Sequence, residues 1–205
     1  MKWFKIAETA YSIGDQEMRP PNEQELTDPS YAYKYARDTV KGRFYEGEDI
    51  ISTDAYFSYY YARDVVKGIW PEGEEVIKEN AQWAYYYARD VVKGRWFEGE
   101  DIISSSPGRS CRYAEEIIQA RWPEGEATIL TDTHWALEYA KIVIKGRWPE
   151  AEIEISKEPY LAYSYAKSII KGRWPMGEKA IAIDDAIAGW YKEELYPDFN
   201  REDYL

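Results

Sequence analysis

The chain contains one cysteine, Cys111, and one histidine, His134, among 205 residues. A single cysteine excludes an internal disulfide and fits a reducing compartment, so a cytoplasmic location is expected. A single histidine excludes His-rich metal sites and argues against Ser-His-Asp or Cys-His catalysis. No run approaches the roughly 18 apolar residues of a membrane span. The opening Met1-Lys2-Trp3-Phe4-Lys5-Ile6 lacks the apolar stretch of a secretory signal. The glycines are isolated rather than clustered, so no phosphate-cradling loop is present. Cations are in deficit: 26 Lys and Arg stand against 38 Asp and Glu, a net charge of −12. What the chain has in excess is aromatic, with 20 Tyr and 9 Trp. With 45% hydrophobic residues it can bury a core.

The aromatics are periodic. Tyr35-Ala36-Arg37-Asp38 returns as Tyr61-Ala62-Arg63-Asp64 and Tyr87-Ala88-Arg89-Asp90, then as Tyr113-Ala114, Tyr139-Ala140 and Tyr165-Ala166. Each step is 26 residues, without insertion or deletion, through six units: 29–54, 55–80, 81–106, 107–132, 133–158 and 159–184. Uniform length is what stacking requires, because every position of a stacked unit touches a neighbour. Residues 1–28 are expected to be an N-terminal cap. Residues 185–205 are expected to be a partial seventh unit and C-terminal cap, with a docking tail at 192–205 as the alternative.

Each unit reads as two helices. The first follows an N-cap residue: Asp28, Asp54, Asn80, Ser106, Asp132 or Glu158. It runs over about 13 residues, for example 55–67, and is expected to stop at a left-handed glycine in five units: Gly42, Gly68, Gly94, Gly146 and Gly172. A shorter helix opens on Trp-Pro in four units, beginning at Trp70, Trp122, Trp148 and Trp174, with Trp as its anchor. On a helical projection Phe57, Tyr59, Tyr61, Ala62, Val65 and Val66 form the apolar arc, and Tyr56, Tyr60, Arg63 and Lys67 the opposite one. Two positions of the apolar arc are always small, those of Ala62 and Ser58, which lets a neighbouring helix approach. The expected architecture is an all-α solenoid of six two-helix repeats.

The segment Tyr-Ala-Arg-Asp-Val-Val-Lys-Gly-Arg-Trp-Phe-Glu-Gly-Glu (87–100) resembles a tandem repeat of uncharacterised bacteriophage and phage-like bacterial proteins, as does the Lys-Gly-Arg-Trp-Pro-Glu core at 145–150. The general plan is similar to leucine-rich-variant and HEAT-like solenoids. The resemblance implies a phage-derived origin and supplies no catalytic residues. Unit four departs most from the pattern, through Arg109-Ser110-Cys111-Arg112 and Gln119-Ala120.

Recurrence separates frame from function. Glu48, Glu74, Glu100, Glu126, Glu152 and Glu178 return once per unit and read as structural, placed at a helix N-terminus or paired with an Arg of a neighbouring unit. No catalytic residue, metal or cofactor is expected. Two positions on the exposed arc vary. One holds Lys34, Tyr60, Tyr86, Arg112, Glu138 and Ser164, the other Ser30, Tyr56, Gln82, Gly108, His134 and Tyr160. Tyr56, Tyr60, Gln82, Tyr86, Arg112 and His134 are therefore the candidate partner-binding residues, and a protein is the expected partner. A second candidate is an anion ladder of Lys41, Lys67, Lys93, Lys145 and Lys171 with Arg43, Arg95, Arg147 and Arg173, flanked by Trp or Phe. It could serve nucleic acid or a small ligand, although the acidic balance disfavours nucleic acid. The reverse reading is an acidic nucleic-acid mimic built on Glu46, Glu72, Glu98, Glu124 and Glu150.

Overall fold

A computed structural model describes residues 21–22 and 25–205. The expected cap at 1–28 thus lies largely outside the described residues. Every regular element among the described residues is helical. The chain divides into two compact units at Ile103/Ser104, near the end of the third repeat. The first contains α1 (Pro29–Lys34), α2 (Tyr45–Ile51), α3 (Ala55–Tyr61), α4 (Pro71–Ile77) and α5 (Ala81–Tyr87), with α6 (Phe97–Ser104) running to the boundary. The second contains α7 (Pro107–Tyr113), α8 (Pro123–Ile129), α9 (Thr133–Tyr139), α10 (Pro149–Ile155), α11 (Pro159–Tyr165), α12 (Pro175–Ile183) and α13 (Asp185–Glu194). Within each unit the order in space is the order in sequence. In the first, α1 packs on α2 and α3, and α3 on α4 and α5. In the second, α7, α9, α11 and α13 form one row, with α8, α10 and α12 beside them. This is the all-α repeat solenoid that the 26-residue step requires.

The N-caps form as the sequence indicates. The Asp54 carboxylate accepts from Phe57 N–H, the Asn80 amide oxygen from the N–H groups of Gln82 and Trp83, and Asp132 from those of His134 and Trp135. Ser106 and Glu158 make no side-chain cap bond, and Pro at the first helical position follows both.

The helix ends differ from expectation. After two α-turns each first helix widens into a π-helical segment: Tyr35–Val40, Ala62–Val66, Ala88–Val92, Ala114–Ile118, Ala140–Ile144 and Ala166–Ile170. The left-handed residue that ends it is not the glycine. It is the residue before, Lys41, Lys67, Lys93, Gln119, Lys145 or Lys171, with φ between 55° and 59°. Lys67 N–H and Gly68 N–H both bond the Ala62 carbonyl, so a wider hydrogen-bonded ring brings the turn one residue early. The β-branched pair that fills the last turn of each segment, such as Val65-Val66, is crowded in an α-helix and favours this opening.

The core is built from the recurring positions. Ala36, Ala62, Ala88, Ala114, Ala140 and Ala166 are fully buried. Ser58, at the second small position, donates from its hydroxyl to the Ile51 carbonyl at 3.0 Å. Trp70, Trp96, Trp122, Trp148 and Trp174 each pack against the Tyr nine residues before, in the same repeat: Tyr61–Trp70 and Tyr165–Trp174 have ring centroids 4.8 Å apart. The C-terminal segment folds back on the stack. Phe199 is buried against Tyr191, the Tyr204 hydroxyl donates to Glu178, and Arg201 donates to the Ala182 carbonyl. These contacts hold the segment after α13 against α12 and α13. The α13 helix stays α to Glu194, with no π segment.

Candidate binding surface

Two polar networks recur and fix which side chains remain available. In the first, an Arg just before the short helix grips the Glu five residues on. Arg147 donates from Nε and Nη2 to the two carboxylate oxygens of Glu152 at 2.8 and 2.6 Å. Arg43–Glu48, Arg95–Glu100, Arg121–Glu126 and Arg173–Glu178 repeat the pairing. The Tyr of the following repeat completes it. The Tyr165 hydroxyl donates to Glu152 at 2.8 Å and accepts from Trp148 N–H at 2.8 Å. Tyr61, Tyr139 and Tyr191 do the same for Glu48, Glu126 and Glu178. Arg147 holds the Glu152 carboxyl below the usual carboxylate range, and Tyr165 adds to this against the opposing effect of burial. In repeat two Ile69 stands where the Arg would be, and Tyr87 alone holds Glu74. The recurring Glu is therefore structural, as expected, but its Arg belongs to its own repeat and the neighbour supplies a Tyr.

The second network joins repeats on the other side of the first helix. Tyr33 donates to Asp64 at 2.8 Å and Tyr59 to Asp90 at 2.5 Å, each 31 residues on. The acceptor is also gripped by its adjacent Arg, as in Arg63–Asp64 and Arg89–Asp90. Burial opposes ionisation of Asp64, but Arg63 and the Tyr33 hydroxyl outweigh it and keep the carboxyl below its ordinary value. The Tyr59 hydroxyl is pushed up to about 12, first by burial and then by Asp90. Tyr163 and Glu194 make the corresponding link in the second unit, where Glu193 stands beside the acceptor and Lys167, four residues after the Tyr, holds the carboxylate instead.

On this frame the variable positions of the first unit come together. Tyr56 is 42% exposed and meets Tyr60 at 4.5 Å and Trp83 at 5.2 Å between ring centroids. Trp83 continues to Tyr86 at 5.7 Å. Arg63 lies over Tyr60 at 4.4 Å and Arg89 over Tyr86 at 4.8 Å. Tyr56, Tyr60 and Tyr86 are thus one aromatic ridge across α3 and α5, joined by Trp83. Neither Trp83 nor the two arginines was singled out in sequence. The helical offsets of Trp83, one turn before Tyr86 and Tyr87, would have placed it there. Gln82 is exposed beside the ridge. Arg112 and His134 lie on the second unit. Arg112 pairs with Glu115 at 2.7 Å and sits 5.9 Å over Trp135, and exposed His134 meets Trp135 edge-on at 6.1 Å.

The anion ladder takes a different form from the one anticipated. Lys41, Lys67, Lys93, Lys145 and Lys171 are exposed. The arginines Arg43, Arg95, Arg147 and Arg173 carry bidentate carboxylates. The tryptophans Trp70, Trp96, Trp122, Trp148 and Trp174 are 0–4% exposed. None of these five Trp faces is open for base stacking, and the aromatics that lie under these arginines include Tyr45, Phe97 and Tyr196. Cys111 is buried and its thiol is pushed up to about 12 by burial, which makes it inert. Among the described residues no group of three or more His, Cys, Asp and Glu could hold a metal ion, and no helix is long and apolar enough to cross a membrane. No protein-family model, curated protein or solved structure matches the chain.

Proposed function

We propose that the chain is a non-enzymatic scaffold that binds a protein partner through the aromatic ridge of its first unit. The observation that carries this reading is the ridge itself. Tyr56, Tyr60, Trp83 and Tyr86 form a continuous surface with Arg63 and Arg89 over its rings, and all four occupy positions that change between repeats while the frame does not. Tyr, Trp and Arg dominate binding hot spots, because each buries a large area with few torsions to freeze. That the partner is a host protein is part of the proposal and rests on the resemblance of 87–100 to phage repeats. The test is affinity purification from producing or infected cells, followed by binding of the recovered partner to wild type and to Tyr56→Ser with Tyr86→Ser. Loss of at least about tenfold in affinity at an unchanged melting point supports the reading. Unchanged affinity with a lowered melting point makes the tyrosines packing residues and refutes it.

An acidic nucleic-acid mimic is the second reading. It rests on the exposure of Glu46, Glu72 and Glu98 in the first unit and of Glu124 and Glu150 in the second, each in the first turn of a short helix. It requires a basic DNA-binding protein among the recovered partners, and a purification without one counts against it.

A further inference from the structure

The π segments and their left-handed caps differ in charge. In the first unit each carries an Arg, an Asp and a cap Lys: Arg37, Asp38 and Lys41; Arg63, Asp64 and Lys67; Arg89, Asp90 and Lys93. The Asp neutralises the Arg beside it. In repeats five and six the same positions read Lys141, Ile142, Lys145 and Lys167, Ser168, Lys171. The carboxylate has been lost from both while both lysines remain.

These two π segments, Ala140–Ile144 and Ala166–Ile170, lie side by side. Between them is an open cleft of about 340 Å³ lined by Lys141, Lys145, Gly146, Ser168, Ile169 and Lys171. Lys141 holds Glu138 at 2.8 Å, and Lys167 holds Glu194 at 2.6 Å. Among the described residues Lys145 and Lys171 have no carboxylate within ion-pair distance. One unpaired ammonium thus stands on each wall, in a chain whose net charge is −12. The carbonyls at the helix ends oppose an anion here. Ala140 and Ala166 offset part of that, because each carbonyl already accepts two N–H groups, from Lys145 and Gly146 and from Lys171 and Gly172.

We propose that this cleft binds a small phosphorylated ligand, whose phosphoryl oxygens are taken by the Lys145 and Lys171 ammonium groups while Ile169 packs against its uncharged part. Lysine suits this task as a mobile point charge with three donors, whereas the arginines of the frame are fixed to carboxylates. Ile142 and Ser168 contribute by not being Asp. Repeat four, with Glu115, Glu116 and Gln119 at these positions, carries the opposite charge. The proposal stands apart from the aromatic ridge and does not depend on it.

The test is calorimetric titration of the full chain with inorganic pyrophosphate, and in parallel with ADP, at about 0.15 M salt. The variants are K145Q/K171Q and, as a control, K67Q/K93Q. Glutamine is the residue that repeat four itself uses at the left-handed cap, at φ 57°, so both variants retain the backbone. Pyrophosphate is expected to bind wild type and the control alike, and K145Q/K171Q at least about tenfold more weakly at an unchanged melting point. Tighter binding of ADP supports the Ile169 contact with the uncharged part, and equal binding overturns that contact and leaves the two lysines as a site for the diphosphate group alone. No binding of either probe to wild type, or equal weakening by both double variants, overturns the proposal.

Discussion

Replacing Tyr165 by Phe removes one oxygen and nothing else from a fully buried ring. That oxygen has two partners, the Glu152 carboxylate and the Trp148 N–H, both at 2.8 Å. A hydrogen bond to a charged group contributes about 1.5–3 kcal/mol, and a buried N–H left without an acceptor costs about 1–3 kcal/mol. Glu152 keeps both bonds from Arg147, so its charge is not stranded and the lower half of each range applies. The expected loss is about 3 kcal/mol in urea unfolding followed by far-UV circular dichroism. Arg147 contributes less than its geometry suggests, because its side chain is 60% exposed and screened by solvent. Combining Tyr165→Phe with Glu152→Gln should give a coupling of about 1–2 kcal/mol, since both changes act on one bond. A loss for Tyr165→Phe below about 0.5 kcal/mol would refute the reasoning, because ring burial alone would then hold the repeats together.

Three further outcomes follow from the same frame. A Cβ added at Gly177 would lie 2.7 Å from the Trp174 ring and 3.0 Å from the Ala162 Cβ, whereas at Gly172 it would meet nothing within 4 Å. Gly177→Ala should therefore destabilise by about 1–3 kcal/mol and Gly172→Ala by much less, as thermal melts would read. At Lys67, with φ 59°, Lys67→Gly should raise the melting point and Lys67→Val should lower it, because a β-branched residue is strongly disfavoured in the left-handed region. Stability should also fall at both pH extremes. Arg121 and Arg147 hold Glu126 and Glu152 below the ordinary 4.5, so their contribution is full above 4.5 and is lost as the pH falls through the folded values. Burial raises Tyr139 and Tyr165 above 10.0, so their contribution is full below 10.0 and declines as the pH rises past it. Melts across this range check both limbs, and a flat profile would contradict the networks.

Periodicity carried most of the frame. The small residues at Ala62 and Ser58, the N-caps at Asp54 and Asn80 and the buried Trp anchors were legible because spacing alone decides them. The π segments were not, since α and π turns place much the same residues on the buried face and Lys67-Gly68 reads as an ordinary helix stop. The visible trace was the β-branched pair in every repeat. The Tyr61 hydroxyl was hidden by its own ring, which the helical projection assigns to the apolar arc. That Tyr and never Phe stands at 61, 87, 113, 139, 165 and 191, with Glu always 13 residues before, was the available signal. Arg147 read as a free cation because sequence does not show that an extended Trp-Pro step turns the chain back and sets Glu152 opposite it. The ridge was half legible: Tyr56, Tyr60 and Tyr86 stood out as variable, while Trp83, one repeat on from Phe57 of the apolar arc, did not stand out.

The central claim is that the 26-residue step is a lattice of packing contacts, and removing one whole step tests it most directly. Deletion of 133–158 joins Asp132 to Pro159 and sets the Tyr165 hydroxyl against Glu126 and the Trp122 N–H, the partners that Tyr139 has in the intact chain. The measurement is the far-UV circular dichroism of this shortened chain through a thermal melt. The account predicts the same helical signal per residue and a cooperative transition; a chain that loses its helical signal or melts without cooperativity would contradict it.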